Sequence, residues 1–244
     1  MTLWRLIPLL DAPGAVQMAI DTWLLQQHQQ GHPPTLRFYT WNPPAISLGR
    51  SQRQRVPEHW RSLVWQGQPL ELVQRPSGGR GVLHQGDLTY AIVTTQPDLN
   101  QAAGYRALCE FLIVGWAKLG VQLQFGQPDR AYIKSQNCFG LSTTADLIDD
   151  CGHKFIGSAR YCRQHWVLQH GAMLLNPDPE LFEQAFRQAP PQLPIALRGQ
   201  NLTALIPDII ATLTAAATDC FGAVFQVEPL TPAEWAEIEA LVEG

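Results

Sequence analysis

Lysine is scarce in this 244-residue chain: Lys118, Lys134 and Lys154 are the only three, and the other fourteen of its 17 basic residues are arginines. No block of lysine and arginine occurs, and the formal net charge is −4. The electrostatic footprint of a nucleic-acid binder is therefore missing, because neutralising phosphates needs clustered positive charge. Long apolar runs are lacking too. Residues 111–117 are too few, residues 202–217 are interrupted by Pro207 and Asp208, and a spanning helix needs roughly 20 consecutive apolar residues. Near the start, the apolar run Leu6 to Leu10 is broken by Pro8, which is too little for the core of a secretory signal. These absences imply a cytoplasmic chain with neither a nucleic-acid nor a membrane partner.

Cysteine pairs at metal-ligand spacing are also absent. Cys109, Cys138, Cys151, Cys162 and Cys220 are odd in number, and without a secretory signal they read as reduced thiols. Of the cluster Cys151, His153, Cys162, His165 and His170, only His165 and His170 have a usual zinc spacing, so no metal is expected. Neither Gly-x-Gly-x-x-Gly, Gly-Lys-Ser/Thr nor Gly-x-Ser-x-Gly occurs, which disfavours Rossmann, P-loop and serine-hydrolase sites. What is present is 45% hydrophobic residues with 16% charged ones, enough to build a core without disulfide or metal staples.

The patterning predicts an α+β fold, a mixed β-sheet with flanking helices. Residues 4–9 read as a strand, and a helix should follow to about Gln30, with Asp11 as a capping residue and Pro13 in its first turn. Strands are expected at 35–41, 70–74 and 88–95, and helices at 58–66 and 102–119. Residues 154–162 and 166–175 are close enough in sequence for an antiparallel hairpin. Helical patterns at 202–218 and 231–242 flank a β-like run at 223–227. A main domain at 1–189 with a helical extension packed on it at 190–244 is expected, joined by the Pro-rich stretch 190–194.

Two constellations carry chemistry. Residues 74–84 read Gln-Arg-Pro-Ser-Gly-Gly-Arg-Gly-Val-Leu-His. Glycines let backbone amides approach a ligand, and arginine offers a fork of donors to oxygen atoms. A glycine-rich hairpin with solvated arginines has the same pattern. The second constellation is Cys138 with Lys154: an ammonium beside a thiol favours the thiolate and exchanges a proton during acyl transfer. A buried, inert cysteine also fits, and His84 and His170 are alternative general bases that Asp146 or Asp149 could orient.

Longer stretches add up to a resemblance. They are Trp4 to Ile7, Gln17 to Asp21, Leu36 to Trp41 leading into Pro44 to Gly49, Arg75 to His84 with Leu88 to Tyr90, Cys138-Phe139, Lys154 to Ala159, and Leu168 to Gly171. Over roughly residues 4–176 the chain resembles the biotin/lipoate protein ligase superfamily, and within it the LipM-type octanoyltransferases. The resemblance implies that octanoyl passes from acyl carrier protein to Cys138 as a thioester, then to the lysine of a lipoyl domain. Such domains belong to dehydrogenase acyltransferase subunits and the glycine-cleavage H protein. No cofactor or ATP is implied, because a thioester is already activated. Lys154 would manage the proton and position the carbonyl. Arg75, Ser77, Gly78, Gly79, Arg80 and His84 would bind substrate on one wall, with Gly157, Ser158 and Ala159 on the other, in a monomer. Arg50, Arg53 and Arg55 would form a basic docking patch, or simply a solvated face. Two features depart from the family: the stretch from Gly140 to Asp146 is about one residue longer, and Arg160 stands where glutamine is usual. An ATP-dependent lipoate–protein ligase is the nearest alternative, but the Asp-x-Gly-Asn run of those enzymes is missing after His84. A non-catalytic acyl-binding relative is the other.

Overall fold

The computed structural model describes residues 1–52, 56–96, 101–126 and 146–243. The chain opens with β1 (Thr2–Ala12), α1 (Gly14–Gln29), β2 (Thr35–Trp41), β3 (Ala45–Leu48) and the one-turn α2 (Glu58–Arg61). A short hairpin, β4 (Val64–Trp65) and β5 (Gln68–Pro69), leads into β6 (Glu71–Gln74), β7 (Val82–His84) and β8 (Asp87–Thr95). Then come α3 (Gln101–Ala107), α4 (Glu110–Lys118), β9 (Leu123–Phe125), β10 (Asp146–Asp149), β11 (Lys154–Arg163) and β12 (Trp166–Leu174). The remaining elements are α5 (Pro179–Phe186), a single 3-10 turn (Ile195–Leu197), α6 (Ile206–Phe221), β13 (Ala223–Val227) and α7 (Pro232–Glu243). No helix of the described residues is long and apolar enough to cross a membrane.

Eight strands form one mixed sheet in the order β13-β1-β2-β8-β12-β11-β10-β9. Its first two pairings are parallel and the others antiparallel. Side chains alternate across a strand, so β2 sends Leu36 and Phe38 into the core shared with α4 and α6. Tyr39 and Trp41 instead join the core beneath α1 and α7. A second sheet, β6-β3-β7, packs with α2 and α5 through Ile46, Trp60, Leu83 and Phe182. This is the expected α+β architecture. The segment after residue 190 also contributes a strand: β13 pairs with β1 at the sheet edge, and Arg5 reaches Glu234 of α7 at 2.7 Å.

Three local expectations need correction. Asp11 does not cap α1, since its carboxylate accepts from Thr40 and Asn42 instead. The free amides of Gly14 and Ala15 are met by Glu71, from β6, at 2.8 and 3.0 Å, a tertiary cap with the favourable charge for a helix N-terminus. The helix expected at 58–66 stops at Arg61, because Gln66 and Gly67 both take positive φ, the geometry of a two-residue hairpin turn. The helix expected at 102–119 is two, broken at Leu108-Cys109. The break turns Tyr105 toward Ser158 while Phe111, Leu112 and Trp116 face the core.

Removing the Glu71 carboxylate should release the start of α1. Glu71→Ala is expected to lower unfolding free energy by about 1–2 kcal/mol, read from the midpoint of urea denaturation.

Candidate active site

A cavity of about 330 Å³ lies between the α1 face of the main sheet and the loop joining β6 to β7. Register explains why there is space. Tyr39, Thr89, Ala172 and Gly157 pair in a row across β2, β8, β12 and β11, and Ala91, His170 and Ala159 form the neighbouring row. Alanine and glycine in these rows leave a slot where larger side chains would fill the face. Its lining is mostly apolar and includes Met18, Tyr39, Trp41 and Val82.

The glycine-rich loop forms one wall. Gly49 and the Gly79 carbonyl approach so closely that a Cβ on Gly49 could not fit, and Gly79 holds φ +93°, a backbone region that favours glycine. Arg75 fastens this wall. Its guanidinium donates to the carbonyls of Ser47 (2.8 Å), Gly78 (2.8 Å) and Arg80 (2.6 Å). Gly78, Gly79 and His84 border the cavity, as do Gly157, Ser158 and Ala159 opposite. Ser77 and Arg80 do not line it: Ser77, within the loop, is fully buried, and Arg80 supplies its carbonyl to Arg75.

At one end Lys154, the first residue of β11, pairs with Asp146 at 2.8 Å, and both are buried. A Cβ on Gly157 would lie 3.1 Å from the Lys154 ammonium, so the absent side chain gives that ammonium its room. Asp146 therefore orients a lysine rather than a histidine. Asp149 serves the following turn, accepting from the amides of Cys151 and His153. Those three residues gather their ligand atoms within 4.8 Å, while Cys162, His165 and His170 stand apart from that group. Cys138 and Lys134 lie outside the described residues, as do Arg53 and Arg55.

Two buried Ser-His-Asp chains support the cavity, and neither is visible as a motif. His170 reaches Asp21 through Nδ1 at 2.8 Å and Ser77 through Nε2 at 2.6 Å. His84 reaches Asp87 through Nδ1 at 2.9 Å and Ser47 through Nε2 at 2.8 Å. A carboxylate can only accept, so each Nδ1 carries a proton. Trp41 stacks on His84 with centroids 3.7 Å apart and donates to Thr89. Burial pushes the His84 pKa down against the opposing pull of Asp87, with Arg75 and His170 acting in the same direction as burial. Cys109, at the break between α3 and α4, is a different thiol from a nucleophile: burial pushes its pKa up to about 12, although Tyr90, Tyr105, Gln169 and Ser158 offer hydrogen bonds that lower it.

Residues 13–207 match the model of the lipoyl protein ligase A/B catalytic domain. The chain is 35% identical to the octanoyltransferase LipM of Geobacillus kaustophilus over 196 residues, covering 75% of this chain and 69% of that protein. It is 33% identical to the octanoyltransferase LipM of Symbiobacterium thermophilum, covering 100% and 95%. Among solved structures, lipoate-protein ligase A bound with ATP superposes with a TM-score of 0.77 at 22% identity, covering 99% of this chain and 94% of the other. The bipartite lipoate protein ligase of Thermoplasma acidophilum gives 0.74 at 22%, covering 100% and 93%. The chain belongs to the lipoyl protein ligase A/B catalytic domain family.

Two measurements test the electrostatics. Because folding lowers the His84 pKa, the unfolded chain takes up a proton near pH 6.5 that the folded chain resists. Stability should hold above that pH and fall as pH drops below it, and His84→Gln should flatten the slope of melting temperature between about pH 7.5 and 5. Iodoacetamide at about pH 8 should label the exposed Cys151 and Cys162 and leave Cys109 unmodified until the protein is denatured; peptide masses report each site.

Proposed function

We propose that the protein is an octanoyltransferase that takes octanoyl from an acyl carrier protein through Cys138 and delivers it to the lysine of a lipoyl domain. The octanoyltransferase relatives that the chain matches along its length support the reaction class. The observation that carries the reading is the buried Lys154–Asp146 pair, whose Asp146 borders a cavity with a mostly apolar lining. An octanoyl tail suits such a slot, since each buried methylene contributes about 0.8 kcal/mol. In this reading residues 1–189 carry the chemistry, residues 190–244 are a packing extension, and the enzyme works as a cytoplasmic monomer.

In the first half-reaction the Cys138 thiolate attacks the donor's carbonyl. A carbon–sulfur bond to the enzyme forms, the donor's carbon–sulfur bond breaks, and the carrier's thiol leaves with the proton that Cys138 gave up. In the second, the neutral amine of the acceptor lysine attacks the enzyme thioester, an amide forms, and the amine's proton returns to the Cys138 sulfur. Lys154, held by Asp146, would pass this proton and hold the carbonyl oxygen. Gly78 and Gly79 on one wall, with Gly157, Ser158 and Ala159 on the other, would bind the acyl group. Arg75, Ser77, Arg80 and His84 would keep the first wall in place, directly or through the groups they bond. Both half-reactions begin from a thioester, so neither needs ATP.

Incubation with octanoyl-acyl carrier protein without ATP should add one octanoyl mass to the intact wild-type protein and none to Cys138→Ser. Lys154→Ala should slow adduct formation at least about a hundredfold, the usual scale for losing a positioned proton-transfer group. An adduct that survives Cys138→Ser would remove the assigned nucleophile. No adduct without ATP, together with acyl-adenylate formation from free octanoate and ATP, would assign the chain to the ligases instead.

A further inference from the structure

A second groove, of about 560 Å³, runs beside the acyl cavity and is lined by Thr22, Arg50, Gln74, Arg75, Pro76 and Tyr161. Arg75 borders both spaces. We infer that this groove holds the phosphopantetheine arm of the acyl donor, with Arg50 and Tyr161 binding its phosphodiester. The inference rests on the transfer reading above, which places the donor thioester at Lys154 and Gly157.

Three observations lead to it. First, Arg50 is exposed, and neither its guanidinium nor the Tyr161 hydroxyl makes a hydrogen bond or ion pair among the described residues. Both groups are therefore available as donors to an anionic oxygen, and a guanidinium suits a phosphate geometrically. Second, the positions are collinear. Gly157, Ala159 and Tyr161 are alternate residues of β11 and so share one face. Ala159 borders the acyl cavity and Tyr161 the groove. Four residues of strand carry the path about 13 Å from the Lys154 end. The backbone of a pantetheine arm between phosphorus and sulfur has about as many atoms as four extended residues, so a sulfur at Gly157 brings the phosphate to Tyr161 and Arg50. Third, the surfaces suit the arm's chemistry: Pro76 and the Tyr161 ring offer apolar area to its geminal methyls. Gln74 Nε2 donates to the Arg50 carbonyl and the Thr22 hydroxyl to the Met18 carbonyl, so the Gln74 and Thr22 side-chain oxygens are left to accept from the arm's two amide N–H groups.

The test compares octanoyl-phosphopantetheine with octanoyl-pantetheine as donors without ATP, reading acylation of the intact protein over time. In the wild type the phosphorylated donor should have a KM about tenfold lower, the scale of one charge-assisted hydrogen bond. Arg50→Ala should raise that KM to the value of the unphosphorylated donor with kcat preserved, Arg50→Lys should restore part of the difference, and Tyr161→Phe should remove a smaller part. Equal KM values for the two donors in the wild type, or an equal loss with both donors in Arg50→Ala, would overturn the inference while leaving the transfer reading intact. Acylation that needs ATP would give the groove to a nucleotide and overturn both. Melting temperatures of the variants should match wild type, since Arg50 is exposed; a large drop would attribute the kinetic change to folding and count against the groove.

Discussion

Three groups from two strands converge on the carboxylate of Asp21, which has no exposed surface. Arg37 Nε lies 3.2 Å from one oxygen, and the Tyr39 hydroxyl and His170 Nδ1 lie 3.1 and 2.8 Å from the other. A buried carboxylate is costly unless it is paired and hydrogen-bonded, and removing one partner of such a pair commonly costs about 3–5 kcal/mol. This group therefore holds α1, β2 and β12 in a single relative position. Through His170 the same carboxylate reaches Ser77 at the root of the glycine-rich loop, so the wall of the cavity is tied to the core rather than carried on a free hairpin.

The cavity itself is made by omission. Gly157 leaves space for the Lys154 side chain, and a side chain at Gly171 would run into the Gly157 carbonyl and the Tyr90 ring, each 2.8 Å from its Cβ. Packed interiors tolerate little change in volume, so each of these glycines keeps a neighbour in place as well as an opening. The polar groups then follow a simple division. Arg75 and the two histidines bond protein atoms and stiffen the walls, whereas Lys154 and Asp146 face each other at the end of the slot.

The elements of the fold were largely legible because they depend on local patterns. Residues 35–41 alternate as a strand should and form β2 with those limits. The hairpin of β11 and β12 follows from two β-rich runs divided by a short turn. The helix expected at 102–119 was harder, because periodicity cannot register that Leu108-Cys109 must turn Tyr105 and Phe111 toward different neighbours. Asp11 looked like a cap by position, but Glu71, fifty-seven residues from Gly14, is the residue that reaches the helix. The site divides in the same way. Arg75, Gly78, Gly79, His84, Gly157, Ser158 and Ala159 border the cavity, whereas Ser77 and Arg80 do not. Asp21, Trp41 and Thr89 lie in stretches that carry the resemblance and Asp87 lies outside them, yet no local signal assigns any of the four to the site.

The sequence alone determined the α+β class, most strand and helix positions, the family resemblance and the two stretches that form the cavity walls. Each is written in neighbouring residues through side-chain period, turn chemistry or a contiguous motif. Only the tertiary structure decided that Asp146 pairs with Lys154, that Arg75 binds its own loop, and that Asp21 meets a histidine 149 residues away. Those outcomes depend on strand register and on which charges are shut away from water together. A buried charge takes whichever partner the packing brings within hydrogen-bonding reach, and distance along the chain does not record that choice.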